Sequence, residues 1–173
     1  MYTAVARLFC RFYGRHYVRR LKSLENMQNP SAAEIHPFVV EDYARALAFW
    51  STIEGLGLNE SDTPEAIEAF LERNLGFSAV ALIEGTMVGT VLCGHNGRAG
   101  SLHHLAVAPS CRGRGIGSAL VNFALSKLAT ANIPRCNIFV YTENEEGNRF
   151  WLNSGWKDPT TWKVLQKHVQ TDA

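Results

Sequence analysis

The chain reads as an α/β protein with one folded domain, and three observations carry that reading. Strand-like and helix-like stretches alternate along it. Its 173 residues, 46% hydrophobic and 19% charged, suit a single domain with a substantial core. No apolar run approaches the roughly 18 residues a membrane-crossing helix needs, and no repeat or low-complexity tract interrupts the pattern.

The elements follow in order. Ile35-His-Pro-Phe-Val-Val40 is a first strand, with Pro37 confining it to a start or an edge. Glu41 to Ile53 has helical spacing through Tyr43, Ala46, Leu47 and Trp50. A loop from Gly55 to Asp62 leads to a second helix, capped by Asp62 or Thr63, with Pro64 near its first position and its end near Leu75. Phe77 to Ile83 and Val88 to Cys93 are strands joined by a Glu84-Gly85 turn. Asn96-Gly97 signals a hairpin into a fourth strand, Ser101 to Val107. A third helix runs from the glycine-rich stretch to about Ala131. Cys136 to Tyr141 is strand five, Asn144 to Ser154 a fourth helix stopped by Gly155, and Trp156 and Trp162–His168 are closing strands.

Charge divides the chain. Residues 1–24 carry six basic side chains and no acid, whereas residues 25–173 carry 11 basic and 16 acidic ones, for a net +1. Residues 1–30 therefore form a basic extension and 31–173 the folded domain. Arg7, Arg11, Arg15 and Arg19 share one helical face opposite Phe9, Tyr13 and Tyr17. That pattern fits a targeting segment, a lipid or nucleic-acid contact, an extension without a packed role, or a start assigned ahead of Met27. The mildly acidic body disfavours nucleic acid as its partner. Four cysteines without CxxC spacing fit reduced thiols in the cytoplasm.

The most informative segment is Leu105-Ala-Val-Ala-Pro-Ser-Cys-Arg-Gly-Arg-Gly-Ile-Gly-Ser-Ala-Leu120. It places Gly113, Gly115 and Gly117 where a helix begins, so unobstructed N–H donors and the positive end of the helix dipole point together. Arg112 and Arg114 add charged donors for phosphate. A nucleotide P-loop would need Lys after the last glycine, and a dinucleotide fingerprint a glycine at Ser118; both match poorly. A tight turn alone would explain fewer glycines.

The pattern Arg112-x-x-Gly115-x-Gly117 after a strand resembles the acyl-CoA signature of the GNAT acetyltransferase superfamily. Asn144-x-x-Gly147-x-x-Phe150-Trp151-x-x-x-Gly155-Trp156 is similar to its C-terminal helix pattern. The resemblance covers roughly Glu34 to Val169. Gly-His-Asn-Gly-Arg through Leu-His-His-Leu-Ala-Val brings it nearest to small bacterial amino-group or ribosomal-protein acetyltransferases. It implies a mixed, mostly antiparallel sheet flanked by about four helices, and transfer of an acetyl group from acetyl-CoA to a primary amine by direct attack. A non-catalytic acyl-CoA-binding module is the alternative. It further implies that backbone groups of Leu105, Ala106 and Val107 hold the pantetheine arm. Arg112, Gly113, Arg114, Gly115, Ile116, Gly117 and Ser118 would hold the pyrophosphate, and Asn144 and Trp151 would line the arm. A homodimer is a common state in the family.

Amine acetylation needs a proton acceptor, a polarised carbonyl and a departing thiolate. Strict alternation along strand four puts His103 on the face of Leu105 and His104 on the opposite face. Some members of the family have a His or Glu at or near this position to accept the amine proton, so the resemblance implies that His103, with an ordinary pKa near 6.5, is the base; alternatively both histidines simply pack. The family often has Tyr where Trp151 stands, to protonate the thiolate. An indole cannot do this, so Tyr141 or water is the substitute, or a thiol of ordinary acidity leaves unaided. Cys93-x-His95 with His103 is too scattered for a metal site, and no metal is expected.

Overall fold

The computed structural model describes residues 32–159, 161 and 164–167. The chain divides into two compact units, Met1–Ile138 and Phe139–Ala173. The basic extension, and part of the expected last strand, lie outside the described residues.

The first unit is built on a five-stranded sheet in the order β1-β2-β3-β4-β5, with β1 Glu34–Pro37, β2 Ala79–Ile83, β3 Thr86–His95, β4 Gly100–Val107 and β5 Cys136–Ile138. The first three pairings are antiparallel and the last is parallel. Two helices, α1 Tyr43–Trp50 and α2 Pro64–Arg73, follow β1, and α3 Ile116–Thr130 joins β4 to β5.

Burial decides the layers. Phe38, Ala46, Trp50, Ile53, Ile67 and Leu71 pack with Val80, Leu92 and Ala106 into one apolar cluster, so α1 and α2 cover one face of the sheet. The other face belongs to α3, through the fully buried Leu120 and Leu128. Glycines in the strands let α3 approach: a Cβ on Gly100 would lie 2.6 Å from the Leu128 side chain, and one on Gly89 3.0 Å from Leu120.

Several boundaries differ from the sequence reading. β1 ends at Pro37, and Val40–Asp42 form a 3₁₀ turn before α1, because the Asp42 carboxylate accepts the Val39 N–H at 3.3 Å. Strand five stops at Ile138 instead of Tyr141. Among the described residues Trp156–Pro159 and 164–167 form no strand, so no closing strands are described there. Cys93, Cys111 and Cys136 are free, and burial pushes the thiols of Cys93 and Cys136 up to about 12 and about 11.

The second unit holds α4, Glu145–Asn153. The Asn144 side chain accepts the Gly147 N–H at 2.8 Å and so starts the helix. Trp151 is buried between Phe150 and Trp156, with ring centroids at 5.0 and 4.8 Å. Tyr141 is exposed.

Candidate active site

The segment after β4 folds as its glycines require. Pro109–Cys111 make one 3₁₀ turn, and then Gly113 and Gly115 take left-handed φ of 71° and 79°. A side chain there would be strained although the space beside each is open. Gly115 is the N-cap of α3, and no side chain caps the helix. Ile116, Gly117 and Ser118 form its first turn, so their N–H groups have no intrahelical acceptor. Arg112 donates from Nε to the Val107 carbonyl at 3.3 Å, and the Arg114 guanidinium lies 3.9 Å from the Cys111 sulfur. Both arginines are exposed beside the loop. A cavity of about 340 Å³ lined by Ala33, Ile35, Gly115 and Ala119 opens between this loop and the chain entering β1.

The second feature is the edge of β4. Its parallel pairing with β5 ends at Leu102 opposite Ile138. Among the described residues, His103 to Val107 have no strand on that side.

The third feature is a β-bulge that the sequence conceals. Thr90 pairs with Ala106 and Leu92 with His103, so β4 has one more residue than β3 between the two pairs. His104 absorbs it with φ 49°. Alternation breaks there, and the expectation that His104 points away from the layer of His103 is corrected. His103 stacks edge-on against Phe70 of α2, with centroids 6.2 Å apart. His104 stacks edge-on against Trp50 of α1, with centroids 4.6 Å apart. Both imidazoles lie in the α1/α2 layer.

Their surroundings differ. His103 Nε2 is 3.0 Å from the Ser101 hydroxyl. Burial, and then the neighbouring His104, push its pKa below the ordinary value, with Asp62 opposing. His104 Nε2 donates to Asp62 Oδ1 at 2.7 Å, with the two side chains only 12% and 7% exposed. Asp62 Oδ2 accepts the Asn59 N–H at 2.8 Å, and the Asp62 carbonyl accepts the Tyr43 hydroxyl at 2.8 Å. The backbone at the bulge is also held: Trp50 Nε1 donates to the Thr90 hydroxyl, which donates to the His104 carbonyl, both at 2.9 Å.

The first unit thus brings together the glycine loop, the open β4 edge and the two histidines. Tyr141, Asn144 and Trp151 belong to the second unit. Sequence reasoning missed Asp62 as a histidine partner, since it reads there as a helix cap, a turn acid or an attractor of a cationic amine; 42 residues separate the pair and no local pattern links them. Among the described residues no group of three or more His, Cys, Asp or Glu is placed to hold a metal ion, and no helix is long and apolar enough to cross a membrane.

Comparison with known proteins bears on this arrangement. The acetyltransferase (GNAT) family model matches residues 39–156, more than half of the chain. The PaiA N-acetyltransferase from Thermoplasma acidophilum, solved in complex with coenzyme A, is similar at TM-score 0.64 and 19% identity, over 75% of this chain and 92% of that one. A ribosomal-protein-alanine N-acetyltransferase from Brucella melitensis biovar Abortus 2308 is similar at TM-score 0.59 and 20% identity, over 79% and 99%. Glucosamine-6-phosphate N-acetyltransferase from Arabidopsis thaliana is similar at TM-score 0.56 and 18% identity, over 82% and 100%. The mixed sheet with the four α-helices of the described residues is the fold these proteins share, and the match of the family model establishes that the chain belongs to the GNAT acetyltransferase family.

Proposed function

We propose that the protein moves an acetyl group from acetyl-CoA to a primary amine by direct attack within a ternary complex. The observation that carries this is the uncapped start of α3, where two left-handed glycines and two exposed arginines leave donors facing outward. Arg112, Gly113, Arg114, Gly115, Ile116, Gly117 and Ser118 hold the pyrophosphate of the donor. Backbone groups of Leu105, Ala106 and Val107, on the edge that β5 leaves open, hold the pantetheine amides and polarise the thioester carbonyl.

The amine proton goes to one of the two β4 histidines. His103 is the residue the sequence nominates, and burial, which lowers its pKa, favours its neutral form. Tyr141, an exposed residue, returns a proton to the thiolate. Asn144 and Trp151 line the pantetheine arm. The acceptor is an amine of a small molecule or a peptide; two of the three relatives above are named for acceptors as different as an amino-sugar phosphate and a ribosomal-protein alanine. Free, high-pKa thiols fit a reducing cytoplasm. A homodimer is the proposed assembly, by analogy with the family.

The test is incubation with acetyl-CoA and a panel of spermidine, free amino acids, an aminoglycoside and peptides with free N-termini, read as released CoA thiol. Acetylated amine with stoichiometric thiol is the expected result. Binding of acetyl-CoA without thiol release for any amine would instead make the protein a regulatory acyl-CoA-binding module, a reading favoured by the indole at Trp151.

A further inference from the structure

We infer that His104, oriented by Asp62 across 42 residues of sequence, is the base that takes the acceptor's proton, and that Asp62 is its positioning residue. The inference rests on the acetyl-transfer reading above and names the group within that site.

The geometry separates the two histidines. His104 Nε2 lies 2.7 Å from a carboxylate oxygen, which can only accept, so Nε2 carries the hydrogen. The lone pair is then on Nδ1. Among the described residues no protein group is bonded to Nδ1, and no side-chain nitrogen is both sealed from solvent and unpartnered. Nδ1 is therefore the ring atom left to meet a water or an amine. The Asp62 carboxylate is fixed by the Asn59 N–H and nearly removed from solvent, and Trp50 packs edge-on against the ring. Tautomer and orientation of the imidazole are both set before substrate arrives. His103 has no such carboxylate; a neutral serine hydroxyl is its partner.

The bulge supplies the reason for this arrangement. The extra residue turns the His104 ring into the α1/α2 layer from the stretch of β4 whose β5-side edge is open. A proton acceptor and a carbonyl-polarising backbone thus sit on one short segment. The ionisable groups around the ring are Asp62 on the α1–α2 connection, His103 on β4, Tyr43 on α1, which reaches the Asp62 carbonyl, and Glu65 on α2, which acts on Tyr43.

An alkylammonium acceptor gives one proton to Nδ1, directly or through one water, and the imidazolium charge is matched by Asp62. The freed nitrogen lone pair attacks the thioester carbonyl carbon, forming C–N as C–S breaks. The thiolate takes the proton that Tyr141 returns and leaves as CoA thiol, the second N–H proton of the attacking nitrogen restores Tyr141 through solvent, and His104 gives its own proton to solvent.

The experiment uses the full chain in two measurements. With ¹⁵N-labelled histidine, neutral His104 shows the Nε2–H tautomer, and D62N loses that preference; an Nδ1–H tautomer in the wild type overturns the assignment. Turnover of the best amine of the panel is then followed against pH. H104Q, whose amide can still bond Asp62, is expected to lose roughly 10²–10⁴-fold in kcat and the acid limb of the profile, with acetyl-CoA affinity retained. D62N loses about tenfold or more in kcat through the wrong tautomer, and D62E recovers part of it, which a purely structural role would not predict. H103Q keeps the acid limb whatever its rate. If wild type turns over and H104Q keeps its acid limb, or H103Q loses it, the assignment to His104 fails alone. If wild type binds acetyl-CoA and releases no thiol with any amine, the acetyl-transfer reading fails and this assignment with it.

Discussion

The glycine loop and the β4 bulge lie at the C-terminal end of the same strand and are made by opposite means. The loop is exposed, and its geometry is held by backbone conformation, with Gly113 and Gly115 at positive φ and a helix start that no side chain caps. The bulge is held by buried side chains: Thr90 is fully buried, Trp50 is 1% exposed, and a chain of hydrogen bonds runs from the indole to the His104 carbonyl. A backbone device depends on residue type at a few positions in a row. A side-chain device depends on partners scattered between positions 50 and 104. The first can be read along a sequence, and the second cannot.

The largest expected effect breaks the bulge. T90V removes the hydroxyl that receives the Trp50 N–H and supplies the His104 carbonyl, leaving two buried polar groups unpaired. Thermal and denaturant unfolding should report a loss of roughly 2 kcal/mol or more, since each orphaned group costs about 1–3 kcal/mol. An unchanged melting curve would mean that the bulge holds without its side chains, and the contrast drawn above would collapse.

The loop is broken by charge. G115D puts a carboxylate and a strained L-residue where the pyrophosphate is proposed to sit. Acetyl-CoA affinity by calorimetry should fall at least tenfold, about 1.4 kcal/mol, while the fold persists because the site is exposed. Equal binding by G115D and wild type would remove the loop from the site.

Trp151 offers a smaller effect. In its own unit it is packed between Phe150 and Trp156, so a filling role predicts that W151F retains most of kcat and that W151A mainly raises KM for acetyl-CoA. A large kcat loss in W151F at constant KM would make the indole part of the chemistry.

The smallest effect is on pH-dependent stability. The folded chain holds His103 below its ordinary pKa, so the unfolded chain binds that proton more readily. The stabilisation from a neutral His103 is complete above the unfolded pKa of about 6.5 and is lost as pH falls through it toward the lower folded value. The melting temperature of wild type should decline between pH 7 and pH 5.5, and H103Q should show a shallower decline. Parallel curves would show that His103 is not the group responsible.

These contrasts also explain what could be read without coordinates. The element order from the first strand to the fourth helix, the helix start at Asn144, Pro64 at the head of α2 and the glycine loop all follow from local chemistry, and all appear in the structure, whereas the expected closing strands do not appear among the described residues. The facing of His104 did not follow, because a bulge is a count of residues on two strands and alternation inspects only one. The Asp62–His104 pair is equally non-local. The strand five expected from composition is too long for a related reason. Phe139 to Tyr141 have strand composition, but parallel pairing ends at Ile138, where β4 enters its bulge. Phe139 and Tyr141 are instead exposed, 62% and 64%.

The open edge of β4 has one more consequence. An unpaired strand edge is a template on which another chain can add a strand, and long flat edges of that kind drive aggregation. Among the described residues the stretch without a strand partner on that side spans only His103 to Val107, and the left-handed residue at its second position kinks and twists it. An incoming strand would find two or three residues in register before the ladder failed, whereas a flexible ligand with a few well-spaced amides could follow the kink. The bulge that turns a histidine inward therefore also protects the protein from its own kind.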